Sequence, residues 1–285
     1  MDDNRVLDIK EIENAIKSFY RTGYKALKMG RNYFVGLIIS IVIDIFIGVT
    51  AFIAVFNVAI KFSKAPKEIL VEATLNTILP YLVAIQIVNL IILMILYIFI
   101  RKTLQTYGGY HRSWSLMANM IEKIDCPLDI PSLLNPSKYN YISKYFIIFI
   151  IINVLTAYAA LKYIIYIMAL HYDPFYGLGI VLALLKFISD FILMILVVRF
   201  FSSLNEYFHL EKASTLIYVY IIMFILDLIQ IFINNIIVSF LGVVVLVIYL
   251  VYLHQMLNEY ERNLEKSYIK LNNYLKKLEE CIEIE

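Results

Sequence analysis

Apolar residues in this sequence gather into six blocks of about twenty or more residues that are nearly free of charge. A helix rises about 1.5 Å per residue, so a block of this length crosses the hydrocarbon core of a bilayer. Strands of a membrane barrel would instead alternate apolar and polar positions. The pattern predicts an all-α, polytopic membrane protein with about six transmembrane helices, at 33–60, 78–100, 145–170, 176–200, 214–233 and 236–255.

Two polar segments next to this membrane domain (32–255) also show helical periodicity. Residues 1–31 predict an amphipathic cytoplasmic helix that lies along the inner membrane surface or, as the alternative, binds a partner. Its apolar face comprises Ile9, Ile12, Ile16, Phe19, Gly23 and Leu27. The connection 101–144 is predicted to be a cytoplasmic loop with a short amphipathic stretch at 114–124.

The C-terminal segment 256–285 carries a leucine at every seventh position. A heptad of this kind predicts a cytoplasmic helix with a coiled-coil seam. The seam leucines are Leu257, Leu264, Leu271 and Leu278. Two interpretations fit the pattern: oligomerisation or binding of a partner protein through the seam, or packing of the seam on the chain's own N-terminal helix.

The distribution of Lys and Arg predicts which side of the membrane each connection occupies. With the N-terminus inside, the inner segments hold twenty Lys and Arg, whereas the outer connections hold only Lys61, Lys64 and Lys67. Basic residues near membrane ends are retained in the cytoplasm. We therefore expect a multi-pass protein of the cell (plasma) membrane with both termini cytoplasmic. The inner segments also hold 17 acidic residues, so no dedicated nucleic-acid surface is expected.

A weak internal repeat predicts that the six helices form three hairpins. The second, fourth and sixth apolar blocks each lead into a segment of the form Leu-polar-x-Tyr, at Leu104–Tyr107, Leu204–Tyr207 and Leu257–Tyr260. Internal repeats of this kind are common in transporters. The layout resembles that of the mitochondrial carriers, but no Pro-x-Asp/Glu-x-x-Lys/Arg motif ends the odd helices, and that family is excluded.

Five ionisable residues fall inside the apolar blocks. Each costs about 2.5–3.5 kcal/mol at a helix centre, so each needs a partner or a wet cavity. Lys186 and Asp190 are four residues apart and can pair within one helix. Lys162 and Asp227 are at comparable depth and can pair if their helices touch. Asp44 is left without an evident partner. The hypothesis is a substrate or ion path lined by Asp44, Lys162, Lys186, Asp190 and Asp227; the alternative is a set of ion pairs that fix helix packing.

Composition adds an expectation about the source and about the two cysteines. The chain is 61% hydrophobic with a mean hydropathy of +0.77, and 23 Tyr beside four Gln are typical of a thermophilic archaeon. Cys126 and Cys281 lie in segments predicted to be cytoplasmic, so two reduced thiols are expected rather than a disulfide.

The sequence contains none of the motifs that indicate catalysis. No nucleophile elbow, His-Glu-x-x-His or phosphate-binding loop occurs, so we expect no enzyme, catalytic residue, metal site or cofactor. The predicted function is a channel or transporter subunit with a polar intramembrane path. The alternative is a non-transporting scaffold or assembly component of a larger complex, for example secretion, pilus or DNA-import machinery, joined through the cytoplasmic helices.

Overall fold

The computed structural model of the chain is all-helical. It describes residues 3–124, 126–132, 134–170, 176–233 and 236–284. Within these ranges lie six α-helices and a 3-10 turn (Pro136–Tyr139), the helices being α1 (Asp3–Lys61), α2 (Lys67–Lys123), α3 (Asn140–Leu170), α4 (Tyr176–Phe208), α5 (Glu211–Ile233) and α6 (Ile236–Ile284). Each helix contains a stretch long and apolar enough to span a membrane. The predicted all-α class and the six apolar helices are confirmed; the short outer connections predicted at 171–175 and 234–235 lie outside the described residues.

Three helices are much longer than a membrane span. α1, α2 and α6 have 59, 57 and 49 residues, which corresponds to roughly 73–89 Å of helix, against about 30 Å for the hydrocarbon core of a bilayer. The segment predicted as an amphipathic helix at 1–31 is helical from Asp3 and continues without a break into the first apolar stretch. Its cytoplasmic location stays a prediction. Its apolar face, including Ile12, Ile16 and Phe19, is buried in protein.

The segment 101–144 is also more ordered than a loop. α2 continues to Lys123 and the 3-10 turn begins at Pro136, so the described residues between them that lie outside helices are 124, 126–132, 134 and 135. Gly108 and Gly109, which read as loop residues in the sequence, lie inside the helix. Gly109 faces α1 so closely that an added Cβ would lie 3.2 Å from the Phe19 Cα, whereas one at Gly108 would meet nothing within 4 Å. The glycine at 109 therefore allows α1 and α2 to approach each other.

The chain divides into two compact units. The first unit comprises Met1–Asn32, Tyr97–Tyr145 and Met194–Glu285, and the second comprises Tyr33–Leu96 and Phe146–Leu193. The first unit thus contains the polar extensions of α1 and α2, the end of α4, and all of α5 and α6. The second unit consists of the remaining parts of α1 to α4.

Tyrosines of the repeated Leu-polar-x-Tyr segments lie together in the first unit. The rings of Tyr107 and Tyr207 stack at 4.2 Å between centroids, and the Tyr207 hydroxyl donates to the Tyr107 carbonyl at 3.0 Å. Phe208 packs on both Tyr107 and Tyr260, at 5.4 Å and 5.1 Å. Burial raises the pKa of all three tyrosines, so their hydroxyls stay neutral. Each of the three Leu-polar-x-Tyr segments thus supplies one side chain to a shared aromatic cluster.

The heptad seam of α6 is buried against the same chain. Its four leucines are at most 1% exposed. Gly30 and Gly23 of α1 lie directly opposite the seam: an added Cβ at Gly30 would lie 2.5 Å from Leu257, and one at Gly23 would lie 2.8 Å from Cδ2 of Leu264. The heptad leucines therefore pack inside the chain, as the second of the two interpretations describes. Self-association of the chain stays a prediction, but these leucines are already occupied.

The expectation of two free thiols was wrong. Cys126 and Cys281 form a disulfide that joins the segment after α2 to the end of α6, with their Cα atoms 6.1 Å apart. This separation lies within the range that a disulfide requires. The two residues are 155 positions apart in the sequence, so their proximity follows only from the return of α6 along α1 and α2.

The two neighbouring glycines of α2 allow a direct test of this helix packing. We expect Gly109→Ala to lower the free energy of unfolding by about 1–3 kcal/mol, because the added methyl group presses on the Phe19 backbone. Gly108→Ala should be neutral or stabilising by up to about 1 kcal/mol, since alanine favours helix and the space there is open. Denaturant unfolding of both variants measures the difference, and equal effects would contradict the packing described.

Candidate functional site

None of the five charged residues of the apolar stretches is fully buried. Asp44, Lys186 and Asp190 are partly exposed, and Lys162 and Asp227 are exposed. Four of the five belong to the second unit, and Asp227 belongs to the first. The sequence pattern suggested one path lined by all five. In the part of the chain that the structure describes, Lys186 and Asp190 belong to a hydrogen-bonded network, Lys162 stacks on a ring, Asp44 stands apart, and Asp227 lines a separate cavity.

The network joins α3 and α4 inside the second unit. The Lys186 ammonium donates to both oxygens of Asp190, at 2.7 Å and 2.6 Å, so the ion pair that the four-residue spacing predicts is present. The Asn153 amide donates to Asp190 Oδ1 at 2.6 Å. The carboxylate is therefore held from two helices, by a charge on α4 and a buried amide on α3.

A second polar contact lies beside the first. Ser189 is buried, and its hydroxyl donates to the Phe149 carbonyl at 3.3 Å. Ser189 and Asp190 on α4, with Phe149 and Asn153 on α3, thus form two adjacent polar links between the helices. Such links fix the rotation of both helices, and they keep the Asn153 amide pointed at Asp190.

An open groove between α2 and α3 adjoins this network. Its volume is about 210 Å³, and it is lined by apolar side chains together with Gln86, Asn89, Asn153 and Tyr158. Asn153 belongs to both the groove and the network, so a solute in the groove is one hydrogen bond away from Asp190. Carboxamides both donate and accept hydrogen bonds, and they suit a solute of mixed polarity.

Asp44 has a buried carboxylate oxygen, Oδ1, without a hydrogen-bond partner among the residues that the structure describes. Lys162 lies over the ring of Tyr158, 5.0 Å from its centroid, a favourable cation–π contact. The pairing of Lys162 with Asp227 stays a prediction, because the two residues lie in different units.

Asp227 lines a cavity of about 320 Å³ between α5 and α6 in the first unit. Gln230 and Ser239 contribute the other polar side chains of its lining. The sequence shows Gln230 one turn after Asp227, but the contribution of Ser239 from the next helix could not be read from spacing.

No family model, curated protein or solved structure matches this chain. What the groove of the second unit and the Asp227 cavity can bind must therefore be inferred from the residues that line them.

Unfolding experiments can measure the coupling free energy between Lys186 and Asp190 of the second unit. We expect Lys186→Met and Asp190→Asn each to lower the free energy of unfolding by about 1–3 kcal/mol, because each leaves a polar partner unsatisfied among apolar helices. The double variant should lose less than the sum, since both charges are removed together. Strictly additive losses would show that the two side chains do not interact in the folded protein.

Proposed function

We propose that this chain is a multi-pass membrane protein that serves as a channel or transporter subunit for a polar or charged solute, with its path through the second unit. The apolar helices support insertion in a membrane. Large apolar side chains such as Phe46 and Phe52 are 68% and 72% exposed, and exposed apolar surface on this scale fits contact with lipid. The carboxamide groove and the Lys186–Asp190 network lie within these same helices.

The proposed orientation has both termini in the cytoplasm. It is supported by the twenty Lys and Arg of the inner segments. In this proposed orientation, the Cys126–Cys281 disulfide belongs to the cytoplasmic side. Intracellular disulfides are frequent in hyperthermophilic archaea and bacteria, so the disulfide and the composition together favour an archaeal plasma membrane as the location.

The observation that carries the transport proposal is the openness of the polar residues in the second unit. The side chains of Lys186 and Asp190 are 35% and 40% exposed although they pair with each other, and the groove beside them is open. A charge at membrane depth costs about 2.5–3.5 kcal/mol, so such groups require contact with water or a polar solute. Charges that served only to fix helix packing would instead lie in dry, closed pairs.

The alternative role, a non-transporting assembly component, has less support from the geometry. That role depends on the heptad seam and on the segment 101–144 as docking elements. The seam leucines are buried inside the chain, two of them against α1. Residues 101–123 continue α2 and bury one face, with Trp114 and Met117 at most 1% exposed. An assembly role would have to use the surfaces that stay exposed.

Water access to the groove separates the two functions. We expect Asn89→Cys to react with a membrane-impermeant maleimide at least about tenfold faster than Ile91→Cys, in the full-length protein reconstituted in vesicles. Both side chains are exposed in the protein, but only Asn89 lines the groove, so only this thiol should meet water and form the reactive thiolate.

The native cysteines give no background in this experiment, because both are held in the disulfide. Labelling of vesicles that contain the unsubstituted protein provides the blank. Equal, slow reaction of both introduced thiols would mean that the groove is closed to water, and it would favour the assembly role over transport.

Asp44 gives a test of ion movement itself. In vesicles that contain a trapped pH-sensitive dye, we expect Asp44→Asn to reduce proton flux at least about tenfold, because an unpaired carboxyl can take up and release a proton where an amide cannot. Ser40→Ala on the same helix is the control, since the Ser40 hydroxyl is bonded to its own helix. Unchanged flux and unchanged thermal stability in Asp44→Asn would remove this residue from the path.

A further inference from the structure

The cavity between α5 and α6 has the chemistry of a small ion site. Asp227 and Gln230 are three residues apart on α5, so they lie on one face of that helix. Ser239 reaches the same cavity from α6. The remaining lining is apolar apart from Gly242, so the polar side chains of the lining are a carboxylate, a carboxamide and a hydroxyl.

No described residue of the first unit balances the charge of the Asp227 carboxylate. Among the described residues it makes no hydrogen bond or ion pair, and no Lys or Arg lines the cavity. A carboxylate among apolar helices requires either a proton or a cation beside it. The surrounding oxygens of Gln230 and Ser239 favour a cation, because both side chains offer lone pairs to a positive ion.

We propose that this cavity binds one small monovalent inorganic cation, with Asp227 as the charged ligand and Gln230 and Ser239 as neutral oxygen ligands. A single carboxylate balances a single positive charge. Calcium sites use six to eight oxygens and commonly several carboxylates, and in the part of the chain that the structure describes no group of three or more His, Cys, Asp or Glu could hold a metal ion. Oxygen ligands without nitrogen or sulfur suit an alkali cation rather than a transition metal.

The space in the cavity fits a partly hydrated ion. Its volume of about 320 Å³ corresponds to roughly ten water molecules at about 30 Å³ each, so water can complete the coordination that three side chains leave open. Gly242 lines the same cavity, and a Cβ added there would meet nothing within 4 Å. A glycine at this position keeps the room beside Asp227 free.

This site differs from the proposed transport path, because Asp227 belongs to the first unit and the groove belongs to the second. Cation binding at Asp227 therefore does not depend on transport by the chain. A chain that transports nothing could still bind the ion, and a chain that transports could lack this site. The experiment below measures binding alone.

Thermal unfolding of the purified full-length protein in detergent tests the proposal, with the fluorescence of its single tryptophan, the buried Trp114, as the readout. Sodium, potassium and choline chlorides are titrated at constant ionic strength. We expect sodium or potassium to raise the unfolding temperature in a saturable way that choline does not reproduce, since ligand binding to the folded state stabilises it. Asp227→Asn should weaken the apparent affinity at least about tenfold.

Gly242→Leu provides a variant that keeps the carboxylate but fills the cavity, and it should weaken the affinity to a similar extent. Gly48→Leu is its matched control, because an added Cβ there also meets nothing within 4 Å but lies on α1. An equal shift with choline would overturn the proposal. Unchanged affinity in Asp227→Asn would do so as well, and if that variant does not fold, unchanged affinity in Gly242→Leu decides against the site.

Discussion

Leucines of α6 pack against glycines of α1, and the first unit is built on this contact. Leu257 and Leu264 occupy the space beside Gly30 and Gly23, where any larger residue on α1 would collide with them. Arg31 and Glu261 close the same interface with an ion pair at 2.7 Å. Because the leucine seam is used inside the chain, the polar ends of α1, α2 and α6 form an intramolecular bundle, and no second copy is needed to bury the seam.

The bundle also determines where the tyrosines and cysteines meet. The segment after α2 and the end of α6 come together at the Cys126–Cys281 bond. Tyr107, Tyr207 and Tyr260 fill the interior of the first unit with rings whose burial favours the neutral hydroxyl. A closely packed aromatic interior and a covalent link hold this unit together. In the second unit, the polar side chains of Gln86, Asn89 and Asn153 line an open groove.

Charged groups in apolar helices are the feature on which the proposed functions rest. The Lys186–Asp190 pair, the groove amides, Asp44 and the Asp227 cavity each place polarity where lipid cannot solvate it. A protein gains nothing in stability from such groups unless they are paired. The proposed functions interpret the exposure of Lys186 and Asp190 and the unpaired Asp44 oxygen as contact with water, ions or solute.

The sequence by itself determined the elements that depend on local pattern. Long apolar runs predicted the six helices, and the four-residue spacing predicted the pair of Lys186 and Asp190, because backbone hydrogen bonding and helical periodicity act over short distances. The same reasoning failed at Gly108 and Gly109, where tertiary packing overrides the low helix propensity of glycine.

Only the tertiary structure decided which surfaces face each other. It placed the heptad leucines on α1, joined Cys126 to Cys281, and assigned Asp227 to a cavity apart from the other four charges. These outcomes depend on contacts between residues far apart in the chain. An amphipathic pattern shows that one face of a helix is buried. Which element buries it depends on how the surfaces of all the helices fit together.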